Sequence, residues 1–119
     1  MIEKWKLCIE LASYPNLGQV VITYVLYNIA TNKVLDRKNN LPGRTTKNEA
    51  YYIALIEGLG TTREYGSNGI LVFTNSEFLC NQMKDVYQVK KEKLKQLHGE
   101  EKNIASQFQS FSISHYENV

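Results

Sequence analysis

Cysteine is scarce in this chain, long apolar runs are missing, and neither sign of charge dominates. The only cysteines, Cys8 and Cys80, sit inside apolar runs and match no metal-binding spacing. That excludes a disulfide-dense scaffold. Buried, reduced thiols are expected, in line with intracellular usage, with a single disulfide as the alternative. No stretch approaches the ~18 apolar residues that suggest a membrane-spanning helix. The opening Met1-Ile2-Glu3-Lys4-Trp5-Lys6 lacks the apolar centre of a signal peptide. Net charge is +2, too small to diagnose a partner; a mild basic excess permits nucleic-acid binding without arguing for it. There is no linker, repeat or low-complexity segment. The 119 residues therefore read as one domain, 1–119, long enough to bury a core.

What is present is an ordered series of short periodic segments. In residues 4–13, Trp5, Leu7, Ile9 and Leu11 share one face, with Lys4, Lys6, Cys8 and Glu10 on the other. Period two predicts a strand. Pro15-Asn16-Leu17-Gly18 reads as a turn. Residues 19–29 are rich in β-branched and aromatic types, which predicts a second strand. After Thr31-Asn32-Lys33, a more polar third strand runs to Asn39, suited to a sheet edge. Leu41-Pro42-Gly43-Arg44 breaks the chain. A helix follows, capped by Thr46 or Asn48. Ala50, Ile53, Ala54, Ile56 and Leu59 make its apolar face, and Gly58 and Gly60 weaken its end near Tyr65-Gly66. Gly69–Thr74 is an apolar run bounded by turn signals, as in a strand buried on both faces. A short helix from Ser76 to about Lys84 is expected. Next come a polar loop at 85–89 and a helix within 90–107 carrying Leu94, Leu97 and Ile104, which Gly99 could interrupt. Residues 108–115 give a last strand. The order is β-β-β-α-β-α-α-β, an α/β fold with a mixed five-stranded sheet, three antiparallel strands then parallel ones. Helices are expected on both faces of the sheet.

This order, and the local sequences within it, resemble the ribonuclease H-like family, in particular its plant and retroelement branch. Thr46-Lys47-Asn48-Glu49-Ala50-Tyr51-Tyr52-Ile53-Ala54-Leu55-Ile56-Glu57-Gly58-Leu59 is similar to the family's T-N-N-x-A-E-x-x-A-L-x-x-G-L helix. Val72-Phe73-Thr74-Asn75-Ser76-Glu77-Phe78-Leu79-Cys80-Asn81-Gln82 is similar to its V-x-x-D-S-x-x-V-V-N-Q segment. Tyr87-Gln88-Val89-Lys90 and Phe111-Ser112-Ile113-Ser114-His115 resemble its later parts. The likeness holds from about residue 5 to residue 118; the C-terminal helix of longer members has no counterpart. It implies an activity: cleavage of the RNA strand of an RNA–DNA hybrid, using a pair of Mg²⁺ ions held by aspartates and a glutamate. Such ions activate water and stabilise the leaving oxygen, and they demand anionic ligands.

The matched positions depart from that requirement. The first-strand aspartate falls at Glu10, the first-helix glutamate at Tyr51, and the fourth-strand aspartate at Asn75. The family's last aspartate would follow His115-Tyr116-Glu117-Asn118. Little negative charge is left to balance two divalent ions, so no metal or other cofactor is expected, and Mg²⁺ only if residual activity exists. A second implied site holds a phosphate of the DNA strand. Its matched residues are Arg44, Thr46 and Asn81, all of the required types. The pair that reads the hybrid's minor groove falls at Lys47 and Asn48. Gln82 is a further polar candidate.

Plainer readings compete. Thr46 is equally a helix cap, Asn81 a loop-bonding amide and Arg44 a solvated charge. Tyr51 is a packed aromatic, and Asn75 bonds within the vacated site. Lys84, Lys90, Lys91, Lys93 and Lys95 form either a solvated helix face or a phosphate-contacting stretch, with Lys90 the favoured contact. His98 and His115 have no neighbouring nucleophile and read as surface or packing residues. The leading expectation is a catalytically inactive, ribonuclease H-like module that binds hybrid or DNA without cleavage, from a retroelement or reverse transcriptase-associated source. The alternative is a protein-interaction scaffold keeping only the fold, pairing with a partner or a second copy through an edge strand. The third is a weak or altered hydrolase, with Glu10 and Asn75 holding one metal.

Overall fold

The computed structural model describes residues 3–14, 19–40 and 46–117. The expected turn at 15–18, the chain break at 41–44 and Asn118 lie outside the described residues. Five strands and three helices follow in the expected order: β1 (Glu3–Tyr14), β2 (Gln19–Asn28), β3 (Lys33–Asn40), α1 (Lys47–Tyr65), β4 (Gly69–Thr74), α2 (Glu77–Met83), α3 (Glu92–Ala105) and β5 (Phe111–His115). They form one sheet in the order β3-β2-β1-β4-β5. β1 is its axis. It pairs antiparallel with β2, Leu7 opposite Leu26, and parallel with β4, Leu7 beside Val72. β3 closes one edge against β2, and β5 runs parallel to β4 at the other.

The alternation in β1 works as the sequence predicts. Trp5, Leu7 and Ile9 are buried, as are Ile22, Tyr24 and Leu26 of β2, Ile70 and Val72 of β4, and Ile113 of β5. These residues share a single core with buried side chains of all three helices. Helices on both faces were expected; those of the described residues pack on this one face. The opposite face carries Lys6, Cys8, Tyr27, Leu71 and Phe73, brought side by side by the strand registers. Lys6 Nζ lies 4.4 Å from the centre of the Tyr27 ring, so the cation sits over part of that apolar surface. Both cysteines are free. Cys80 is buried as expected, but Cys8 is only half-buried because it belongs to the uncovered face.

α1 starts at a full capping box. Thr46 Oγ1 accepts from the Glu49 N–H at 3.2 Å, and Glu49 Oε2 accepts from the Thr46 N–H at 2.9 Å. The helix buries Ala50, Tyr51, Tyr52, Ala54, Leu55, Gly58, Leu59 and Thr62, leaving Ile53 and Ile56 half-buried at the margin. The buried stripe is therefore rotated from the expected one. The reason is Gly58. A Cβ there would stand 2.9 Å from both methyls of Leu7, so the bare backbone lets α1 settle close onto β1. The helix runs through Gly58 and Gly60 and ends at Tyr65, where the sequence places its end. α3 likewise runs unbroken through Gly99.

Candidate functional site

The C-terminal half of β1, the end of β4 and the first turns of α1 converge at one end of the sheet. This convergence brings Glu10, Tyr51 and Asn75 together, as the sequence alignment requires. Asn75 is tied to β1 through its backbone N–H and both ends of its carboxamide. Its backbone N–H meets the Ile9 carbonyl at 3.4 Å, its Oδ1 accepts from the Leu11 N–H at 3.1 Å, and its Nδ2 donates to the Leu11 carbonyl at 3.2 Å. The carboxamide thus acts as one more rung of the parallel β1–β4 ladder. Tyr51, 3% exposed, donates its hydroxyl to the same Oδ1 at 2.7 Å. Burial above all, with the nearby Glu10 charge adding to it, pushes the Tyr51 hydroxyl up to about 12, so it is a neutral donor at physiological pH.

Glu10 is exposed and accepts from the Tyr116 hydroxyl at 3.3 Å. Burial, then the Glu10 carboxylate, raise the Tyr116 hydroxyl too, which keeps that bond's proton on the phenol. His115, exposed at the end of β5, stands in register with Thr74.

A pair of magnesium ions needs several anionic oxygens around it. Among the described residues, this corner offers one carboxylate, two neutral phenols and one amide oxygen already accepting from two donors. The donor set does not fit the ions. Among the described residues, no three His, Cys, Asp or Glu side chains are gathered closely enough to hold a metal.

The second candidate region lies beside α1's first turn. Arg44 lies outside the described residues. Thr46 and Lys47 are exposed, and Asn48 is half-buried. Asn81 is half-buried, and its backbone carbonyl accepts from Val86 at 2.8 Å and Tyr87 at 3.1 Å, closing the turn after α2. That turn raises one wall of an open groove. Asn48 supplies an amide to it, Phe78 and Tyr87 rings, and Lys90 and Lys91 cations, whereas the sequence candidate Gln82 lies at its floor, 1% exposed, with its Oε1 accepting from the Tyr52 hydroxyl at 2.6 Å. The two rings are 6.2 Å apart between centres and tilted by 49°. Tyr87 is 43% and Val86 65% exposed, unusual for large apolar side chains. The sequence reading missed this aromatic wall. The signal was the apolar Val86 and Tyr87 in a segment read only as a polar loop.

The basic stretch divides. Lys90 and Lys91 line the groove, whereas Lys95 lines an adjoining hollow with His98 and lies 3.6 Å from Glu92. Lys84 and Lys93 are exposed. His98 is a packing residue: its Nε2 lies 3.3 Å from the Gln82 carbonyl, and its ring meets that of Tyr52 edge-on.

Sheet order, helix placement and the corner at Asn75 define a ribonuclease H-like domain. Similar solved structures include RNase H1 from Halobacterium salinarum NRC-1, with TM-score 0.82 and 22% identity over 96% of this chain and 86% of that one. The N-terminal RNase H domain of rv2228c from Mycobacterium tuberculosis gives 0.82 and 27%, covering 95% and 88%. LC11-RNase H1, isolated from compost and solved with an RNA/DNA hybrid, gives 0.82 and 27%, covering 97% and 86%. The chain belongs to the reverse transcriptase-like family, whose profile matches residues 19–118. No curated protein matches the sequence.

Proposed function

We propose that this domain binds an RNA–DNA hybrid or a DNA strand without cutting it. The observation that carries the loss of cleavage is Asn75. Its side chain is committed to the β1 backbone and to Tyr51, so the atoms that would ligate an ion serve as a structural clasp. Binding draws on the groove beside α1. Phe78 and Tyr87 offer faces for bases, Lys90 and Lys91 offer charge for phosphates, and Asn48 offers a neutral donor. Arg44, Thr46, Lys47 and Asn81 complete the phosphate contacts in this reading. The solved LC11-RNase H1, of like fold, holds an RNA/DNA hybrid, which supports the same class of ligand here.

The test is fluorescence anisotropy with a labelled hybrid, a DNA duplex and a single DNA strand at two salt concentrations. Saturable binding that weakens with salt, and that falls at least several-fold in Tyr87→Ala, supports the reading. No binding at low salt, or affinity indifferent to Tyr87→Ala, overturns it.

A second reading, a protein-interaction scaffold, draws on the sheet face where Cys8, Leu71 and Phe73 stand without a helix over them among the described residues. A concentration-dependent dimer in light scattering, abolished by Phe73→Lys, would favour it.

A further inference from the structure

The apolar stripe of α3 contains a carboxylate. Leu94, Leu97, Glu101 and Ala105 recur at helical spacing and all are buried. Glu101 is 0% exposed, and neither of its oxygens has a hydrogen-bond partner among the described residues. α1 is the main element packed against α3. Its Tyr52, also 0% exposed, is the titratable group that feels Glu101; burial first and this carboxylate second raise the Tyr52 hydroxyl. α2 contributes no charge at this junction but an amide: Gln82 Oε1 accepts from the Tyr52 hydroxyl at 2.6 Å. On α3 itself the neighbours are His98, one turn earlier, and Lys102. His98 meets the Gln82 carbonyl at 3.3 Å. Lys102 reaches away, to the Met83 carbonyl at 3.1 Å and to Asp85 at 3.5 Å. The cation that acts on it is therefore engaged elsewhere, and among the described residues the carboxylate is left in the core without a donor.

A buried carboxyl with no partner is tolerable when neutral and costly when charged. We propose that Glu101 is a proton-operated latch: protonated, it lets α3 close on α1; ionised, it loosens that contact and the Tyr52–Gln82–His98 linkage that backs the groove. Burial pushes its carboxyl from 4.5 up to about 7, with the Lys102 charge only partly opposing, so the latch works near neutrality. The sign follows. The folded state holds a proton that the unfolded chain releases at ordinary carboxylate pH. Stability from this group is complete below the unfolded value, declines as pH rises and is gone above the folded one. The consequence for the groove rests on the nucleic-acid reading; the latch does not.

Two measurements on the full chain test it, neither involving nucleic acid, so their failure leaves the binding proposal standing. In the first, urea unfolding is followed from about pH 4.5 to 8 in the wild type and Glu101→Gln, where the unfolding constant of the wild type should rise on the order of 10²-fold relative to the variant. Every group other than residue 101 is common to both proteins. In the second, carboxyl ¹³C shifts of the wild type are titrated, and Glu101 should change state near neutrality. Parallel pH profiles for the two proteins, or a Glu101 titration in the ordinary carboxylate range, would overturn the latch. Should Glu101→Gln fail to fold, the carbon titration decides alone.

Discussion

The Tyr51 hydroxyl donates to the Asn75 amide oxygen at 2.7 Å, and that same oxygen accepts the Leu11 N–H at 3.1 Å. The two uncharged replacements at the matched acidic positions are thus partners in one bond. Reverting either alone would not simply restore a ligand; it would break a clasp between α1, β1 and β4.

Asn75→Asp tests this directly. The new carboxylate keeps the donors to one oxygen but points the other, without a proton, at the Leu11 carbonyl that Nδ2 now serves. The expected loss at neutral pH is about 1–3 kcal/mol by urea unfolding. The introduced carboxyl should titrate above its unfolded value, so the deficit should vanish in mild acid and grow as pH rises through the folded value. A variant as stable as wild type at pH 7 would show that the amide donor contributes nothing.

Tyr51→Phe removes one donor from Asn75 while the Leu11 N–H remains. Unfolding should become easier by about 0.5–1.5 kcal/mol. Affinity for labelled hybrid should not change, because Tyr51 is buried and faces Asn75 rather than the groove.

Thr46 has two roles to separate. Thr46→Asp keeps a side-chain oxygen for the Glu49 N–H, so stability should hold within about 0.5 kcal/mol, whereas Thr46→Ala should cost about 1 kcal/mol. If Thr46 also meets a phosphate, the aspartate should weaken hybrid binding several-fold by anisotropy. Equal affinities of wild type and Thr46→Asp would leave Thr46 as a cap alone.

Lys90 and Lys91 should act through charge. Their replacement by alanine together should flatten the dependence of log affinity on log salt by roughly 1 to 2 in slope. Lys93→Ala, outside the groove, should leave the slope unchanged.

The fold was readable because each element carries its own physical signature. The alternation Trp5, Leu7, Ile9 needs no tertiary information, and the edges of β4 follow from the turn residues around Gly69–Thr74. Ser76, read as the cap of α2, does accept the Leu79 N–H at 3.0 Å. The corner of Glu10, Tyr51 and Asn75 was found through family resemblance, since no spacing in the chain links residues 10, 51 and 75. Besides the aromatic wall of Phe78 and Tyr87, three things escaped. The burial of α1 turns on a close approach to Leu7 that a helical wheel cannot show, so Gly58 read as a weak point. The uncovered sheet face depends on where helices pack rather than on whether they form. Glu101 occupies the apolar stripe of α3 at the right spacing after Leu97, but a glutamate in a Lys/Glu-rich segment reads as solvated until its burial is seen.

On the proposed function, the corner of Glu10, Tyr51 and Asn75 leaves a bound hybrid uncut. The most direct measurement is turnover of a labelled RNA–DNA hybrid by purified protein in Mg²⁺ and in Mn²⁺, with Glu10→Ala assayed alongside. Intact RNA strand under every condition is the predicted result; cleavage by the wild type that disappears in Glu10→Ala would contradict it.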